Sequence, residues 1–196
     1  MARKKTKSKT KLAARQRLPG DLNAAQEVAR MLRVDHAGEF GAQRIYAGQL
    51  AVLGRGKLGA QLRHMAAQED DHLRHFETLL NERGVRPTAL HPLWHLAGFA
   101  LGAGTALLGE KAAMACTVAV EEVIDGHYAQ QLAALDAHGR DDESDLKDLI
   151  ARFQSEEVEH KEIGRSHGAE DLPYYPLLRA LIRAGSKTAI WLSERV

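Results

Sequence analysis

The chain of 196 residues has a single cysteine, Cys116, in AMACTVAV. One thiol excludes an internal disulfide and fits a reducing compartment; a small buried apolar role suits it. A phosphate-binding glycine loop, a serine nucleophile elbow and a zinc finger are all missing. Long hydrophobic runs are missing too. The charge-free stretch LAGFALGAGTALLG, 96–109, has fourteen residues, where a bilayer span needs about 20. Acidic residues are absent from the first twenty positions, which carry eight Lys or Arg and leave 19 basic against 26 acidic residues for the rest. The chain therefore reads as an acidic body with a basic arm. That arm is almost free of apolar residues before Leu12, which excludes a secretory signal and predicts disorder. It is Lys-rich and too polar for a convincing mitochondrial presequence; its charge would suit anionic lipid or nucleic acid, and the blander reading is a solvated arm without a partner. No low-complexity linker interrupts 21–196, so we expect a basic arm over 1–20 and one folded domain over 21–196.

What is present is helical periodicity almost throughout, with Gly and Pro clusters between the periodic runs. It predicts an all-α domain with helices over 23–53, 58–83, 93–108, 110–137, 143–166 and 175–193, and a break at GVRPTALHP. In the last helix Arg179, Arg183 and Lys187 recur every four residues, while Leu177, Leu178, Leu181, Ile182, Ile190 and Trp191 supply an apolar side. A basic amphipathic helix with a terminal Trp suits a membrane surface, and the apolar segment 96–109 suits an interfacial element. The blander reading of both is ordinary core packing.

One pattern occurs twice. Glu39 in HAGEFGA is followed by Glu69 and His72 in QEDDH; Glu121 in VEEVIDGHY is followed by Glu157 and His160 in EEVEH. Gly54 falls midway in the first pair of glutamates and Gly139 midway in the second, as in two helical hairpins that turn at their glycines. Two hairpins side by side form a four-helix bundle, and residues at i and i+3 share a helix face, so each Glu-x-x-His projects inward. This is the ligand plan of carboxylate-bridged di-iron and di-manganese bundles. Four buried carboxylates without counter-charge are very unfavourable; two divalent ions neutralise them. Oxygen and imidazole donors suit iron or manganese. Each Glu-x-x-His alone is weak, since QEDDHLRH and SEEVEHKE also read as solvated helix faces; the joint pattern is what points to metal. Spacing leaves Glu121 and Glu122 open as the inward residue and favours Glu157 over Glu156. His36, Asp125, His127 and Tyr128 lie within a turn or two of the ligands, where they would orient ligands or relay protons, or simply pack.

The strings RVDHAGEFGAQRIYAGQLAVLG, RPTALHPLWHLAGFALGAGTALLGEKAAMACTVAVEE and AIWLSERV strongly resemble the Coq7 family of 5-demethoxyubiquinone hydroxylases, over about 28–196. The resemblance implies a ferritin-like bundle with iron ligands at Glu39, Glu69, His72, Glu121, Glu157 and His160, so that Glu121 and Glu157 are the ligands within the doublets. It implies a di-iron monooxygenase that uses dioxygen to hydroxylate a polyprenyl methoxy-methyl benzoquinol late in ubiquinone biosynthesis. His127 and Tyr128 match the family's residues beside the metals. Arg30 and Arg195 match nicotinamide contacts proposed in the family, whereas Lys187 and Trp191 depart in type from an Arg and a Tyr and count against direct nicotinamide binding; NADH acting through the bound quinone is the candidate electron donor. A homo-oligomer, peripheral contact with a bacterial inner membrane on its cytoplasmic side, and a lipid-presenting accessory protein are further expectations. A mitochondrial inner membrane is the alternative location, and no nucleic-acid partner is expected. The rivals are a quinol oxidase of the alternative-oxidase type, a ferritin-like iron store and an RNA-modifying hydroxylase using the basic arm.

Overall fold

The computed structural model describes residues 20–137 and 141–196; the basic arm up to residue 19 and the turn at Gly139 lie outside the described residues. Six α-helices and no strand occur among them. They are α1 Ala24–Leu53, α2 Gly59–Glu82, α3 His91–Leu107, α4 Glu110–Ala137, α5 Ser144–Ser166 and α6 Tyr175–Ser193, with single 3-10 turns at Asp141–Glu143 and Ala169–Asp171. Helices α1, α2, α4 and α5 make the bundle. The first starts in a capping box, in which the Asn23 side chain accepts from the Gln26 backbone and the Gln26 side chain accepts from that of Asn23, so two of the orphan amides of the first turn are satisfied. The first hairpin turns at Gly54, as its midway position predicted. Helix α3 begins two residues earlier than expected, because Pro92 sits in its first turn, where its fixed φ and missing N–H favour a helix start rather than a break.

Two apolar clusters pack the bundle above and below the level of the acidic residues. One gathers Leu32, Phe76, Leu80, Leu135, Ile150 and Phe153. The other gathers Tyr46, Leu62, Met65, Met114 and Val118. Each helix therefore runs apolar, then acidic, then apolar along its inner face. The acidic layer is sealed at both ends.

Helix α3 lies along α1 at very close range. A Cβ on Gly102 would stand 1.9 Å from the carbonyl oxygen of Ile45, and one on Gly48 would stand 2.3 Å from that of Phe99; only glycine admits this approach. Helix α6 crosses α4 and is pinned there by Glu122, which accepts from Arg179 at 2.7 Å and Arg183 at 2.6 Å, with Arg165 at 3.6 Å. Two of the three basic residues that suggested a cationic membrane face are thus partnered from within. Large apolar side chains of α3 and α6 are left open beside exposed Lys187: Leu96 and Leu107 are 68% and 75% exposed, and Leu177, Leu181 and Trp191 are 64%, 63% and 53% exposed. No helix among the described residues is long and apolar enough to cross a membrane.

Candidate metal centre

Glu39 reaches the bundle axis from α1, Glu69 and His72 from α2, Glu121 from α4, and Glu157 and His160 from α5; all six are at most 1% exposed. They form two overlapping groups. Donor atoms of Glu39, Glu69, His72 and Glu157 lie within 4.8 Å of one another, and so do those of Glu69, Glu121, Glu157 and His160. Glu69 and Glu157 belong to both. Nδ1 of His72 is 3.1 Å from Oε1 of Glu157 and 3.3 Å from Oε2 of Glu39; Nδ1 of His160 is 3.2 Å from Oε1 of Glu69 and 3.3 Å from Oε2 of Glu157. The doublets separate cleanly. Glu121 faces in while Glu122 grips α6, and Glu157 faces in while the Glu156 side chain remains 26% exposed.

The hydrogen-bond inventory of this layer is lopsided. Oε2 of Glu39, both oxygens of Glu69, Nδ1 of His72, Oε2 of Glu121, both oxygens of Glu157 and Nδ1 of His160 are buried without a hydrogen-bond partner. These eight atoms fall into two sets of four, one oxygen of Glu69 and one of Glu157 going to each. An unsatisfied buried polar group costs about 1–3 kcal/mol, so these atoms need either shared protons or cations between them. A divalent ion in each set satisfies four donors at once. The residues fit such a pair of ions.

Every other polar atom of the ligands has a partner that fixes its orientation. The Tyr128 hydroxyl donates to Oε1 of Glu39, and the Tyr46 hydroxyl donates to Oε1 of Glu121 at 3.2 Å. Nε2 of His72 lies 2.8 Å from Oε2 of Glu156, and Nε2 of His160 lies 3.0 Å from Oε1 of Gln68. With Nε2–H donating outward, the Nδ1 lone pair of each ring faces the carboxylates, the arrangement by which a metal-binding histidine is set. Burial, reinforced by Glu121 and Glu39 respectively, holds the Tyr46 and Tyr128 hydroxyls well above the usual phenol range, so both remain donors.

The charges interact strongly. Burial, then the neighbouring Glu157, raises the carboxyls of Glu69 and Glu121 well above their ordinary range. Burial also opposes charge on Glu157 and His72, but their pairing prevails: His160 and His72 hold Glu157 at about 2, and Glu157 and Glu39 push His72 up to about 12. Burial likewise opposes charge on His160, but Glu157 and Glu121 raise it.

Of the residues near the ligands, Tyr128 touches Glu39, whereas His127 does not touch a ligand: its Nε2 lies 3.3 Å from Asp35 and 2.8 Å from Gln131. Asp35 also accepts from Gln131 at 2.6 Å. Asp125 turns away to Lys161 and Gln154, and His36 turns to His91 of α3 at 3.2 Å. Lys187 and Trp191 are exposed on α6, and the Arg195 guanidinium lies 4.2 Å over the Trp191 ring; among the described residues no hydrogen bond or ion pair joins half-buried Arg30 to them. Tyr46, Gln68 and Asp35 escaped the sequence reading. A signal for Tyr46 existed, since it follows Glu39 by the same seven residues by which Tyr128 follows Glu121.

A cavity of about 550 Å³ opens between α1, α3, α4 and α6. Its walls are mostly apolar, with Ile45, Leu101, Val120, Ile124 and Ile182 among them, and its polar lining includes Asp35, Glu39, His127 and Tyr128. The cavity thus reaches the Glu39 side of the acidic layer and lies beside the exposed apolar face of α3 and α6. An apolar molecule with a few polar ring substituents fits such a lining.

A family model described as ubiquinone biosynthesis protein COQ7 matches residues 26–193. A 3-demethoxyubiquinol 3-hydroxylase of Rhodospirillum rubrum is 59% identical over 184 residues, covering 93% of this chain and 85% of the relative. The human NADPH-dependent 3-demethoxyubiquinone 3-hydroxylase, mitochondrial, is 54% identical over 169 residues, covering 86% and 78%. The 5-demethoxyubiquinone hydroxylase, mitochondrial, of Saccharomyces cerevisiae is 40% identical over 180 residues, covering 85% and 77%.

Proposed function

Because this chain belongs to the ubiquinone biosynthesis protein COQ7 family, we propose that it hydroxylates the ring of a demethoxyubiquinol, a polyprenyl methoxy-methyl benzoquinol, with dioxygen as co-substrate. The observation that carries the site is the division of eight unpartnered buried donor atoms into two sets of four. Glu39, His72, Glu69 and Glu157 would hold one iron ion, and Glu121, His160, Glu69 and Glu157 the other. Two bound iron ions supply the dioxygen activation that no side chain of the chain can provide.

The chain's own residues do the rest. The apolar walls from Ile45, Leu101, Val120 and Ile182 take the ring and the start of the prenyl tail and exclude water. Tyr128 keeps Glu39 turned inward at the end of the cavity. His127, backed by Asp35 and Gln131, offers the polar contact for a ring hydroxyl and a place to pass its proton. Hydroxylation inserts one oxygen atom into a ring C–H bond, and the second leaves as water with two electrons and two protons. The human relative is named NADPH-dependent; a reduced nicotinamide donor for this chain would meet Arg30, Lys187, Trp191 and Arg195, of which the Trp191–Arg195 stack suits a flat ring beside phosphate. The exposed leucines of α3 and α6 support peripheral attachment to the membrane that holds the quinone, a bacterial inner membrane at its cytoplasmic side in this reading.

Mass spectrometry of quinone lipids tests the proposal. Cells lacking the protein should accumulate the demethoxy quinone; the intact chain should reverse this and Glu157→Ala should not. An unchanged quinone profile in the deletion would overturn it in favour of iron storage or terminal oxidation.

A further inference from the structure

The two halves of the centre are related residue by residue. Glu39 and Glu121 are each followed after seven residues by a tyrosine, Tyr46 or Tyr128, that bonds the glutamate of the other half. After ten residues each is followed by a glutamine: Gln131 bonds Asp35, four before Glu39, and Gln49 lies 3.4 Å from Thr117, four before Glu121. The shared glutamates are preceded by the residues that meet the opposite histidine, Gln68 before Glu69 and Glu156 before Glu157.

This correspondence breaks at one contact to the ligands. His72 is backed by a carboxylate at 2.8 Å, His160 by a neutral amide oxygen at 3.0 Å. Glu39 and Glu121 each receive a tyrosine, and Glu69 and Glu157 are common to both sets. Asp35 and Thr117 also differ, but Asp35 pairs with His127 and Gln131 rather than with a ligand. A carboxylate accepting the Nε2–H draws the proton away from the ring and makes Nδ1 a stronger donor than an amide does. From this we infer that the two metal positions are unequal: the position of Glu39 and His72 binds its ion more tightly and fills first, because Glu156 backs its histidine. It is also the position beside the cavity, which Glu39 lines and Glu121 does not. Under metal shortage the singly loaded protein carries its ion against the substrate cavity. The inference rests on the metal reading of the site.

Titration of the metal-free full chain with Mn(II), following the free-ion electron paramagnetic resonance signal, separates the possibilities. Two steps are expected. Glu39→Gln should remove the tight step and Glu121→Gln the weak one. Glu156→Gln keeps size and hydrogen-bond acceptance, and should weaken the tight step by about 10- to 100-fold while sparing the other. Gln68→Glu should strengthen the weak step, which guards against a result due only to damaged folding. Two equal positions in the unaltered chain, or Glu156→Gln changing both steps alike or neither, would overturn the inference. Uptake that Glu157→Ala leaves intact would instead overturn the metal centre itself.

Discussion

At the scale of single residues, the centre works by exchanging protons for metal. Burial and neighbouring carboxylates make Glu69 and Glu121 hold protons more tightly than ordinary carboxyls, and His72, at about 12, is protonated at neutral pH, so coordination must displace protons. Metal affinity is therefore expected to rise with pH, and calorimetry in buffers of different ionisation enthalpy should register protons released per ion bound; a pH-independent affinity would contradict this. For the metal-free fold the signs differ by residue. A raised carboxyl favours the folded chain below its unfolded value and loses that contribution as pH rises, whereas Glu157, held at about 2, adds stability that disappears as pH falls from about 4.5 toward 2. Tyr46→Phe would leave a buried Glu121 oxygen without its donor, and should cost about 1–3 kcal/mol in urea denaturation. The ligating residues were legible because their spacing repeats at helical offsets. Gln68 and Glu156 were not, because their role depends on which histidine lies across the bundle, and a contact between α2 and α5 leaves no local mark on either sequence.

At the scale of elements, α3 and α6 are held by different means and should fail differently. Helix α3 depends on steric permission. Gly102→Leu drives a side chain into the carbonyl of Ile45, an overpacking expected to cost about 1–3 kcal/mol or more and to shift the cavity wall carried by Leu101; thermal melts and quinol binding should both register it. Helix α6 is held by charge as well as by the burial of Ile182. Glu122→Gln removes the partner of Arg179 and Arg183, but these pairs are partly solvated and should contribute only about 1 kcal/mol. The periodicity of α6 was legible, yet it suggested that Arg179 and Arg183 face anionic lipid. One inward-aimed residue of the Glu121–Glu122 doublet implied one outward-aimed partner; that the outward glutamate would recruit α6 could not be read from either segment alone. Helix α3 shows the reverse case, where a proline read as a break opened the helix instead.

At the scale of the whole molecule, the apolar cavity, the exposed leucines and the acidic layer succeed one another across the bundle. Leu96→Glu with Leu177→Glu alters only residues outside the cavity lining. The double variant should co-sediment less with anionic vesicles and leave Mn(II) binding intact, and equal sedimentation would argue against this face as the membrane contact. The cross-bonded tyrosines carry a further consequence. Each half of the chain supplies the clamp for the other half's glutamate, so neither hairpin completes a site by itself, and two identical hairpins meeting about a true twofold axis would produce two identical sites. Covalent fusion of the halves is what permits residue 68 to be an amide while residue 156 is an acid. The long chain is thus the condition for having an order of loading at all.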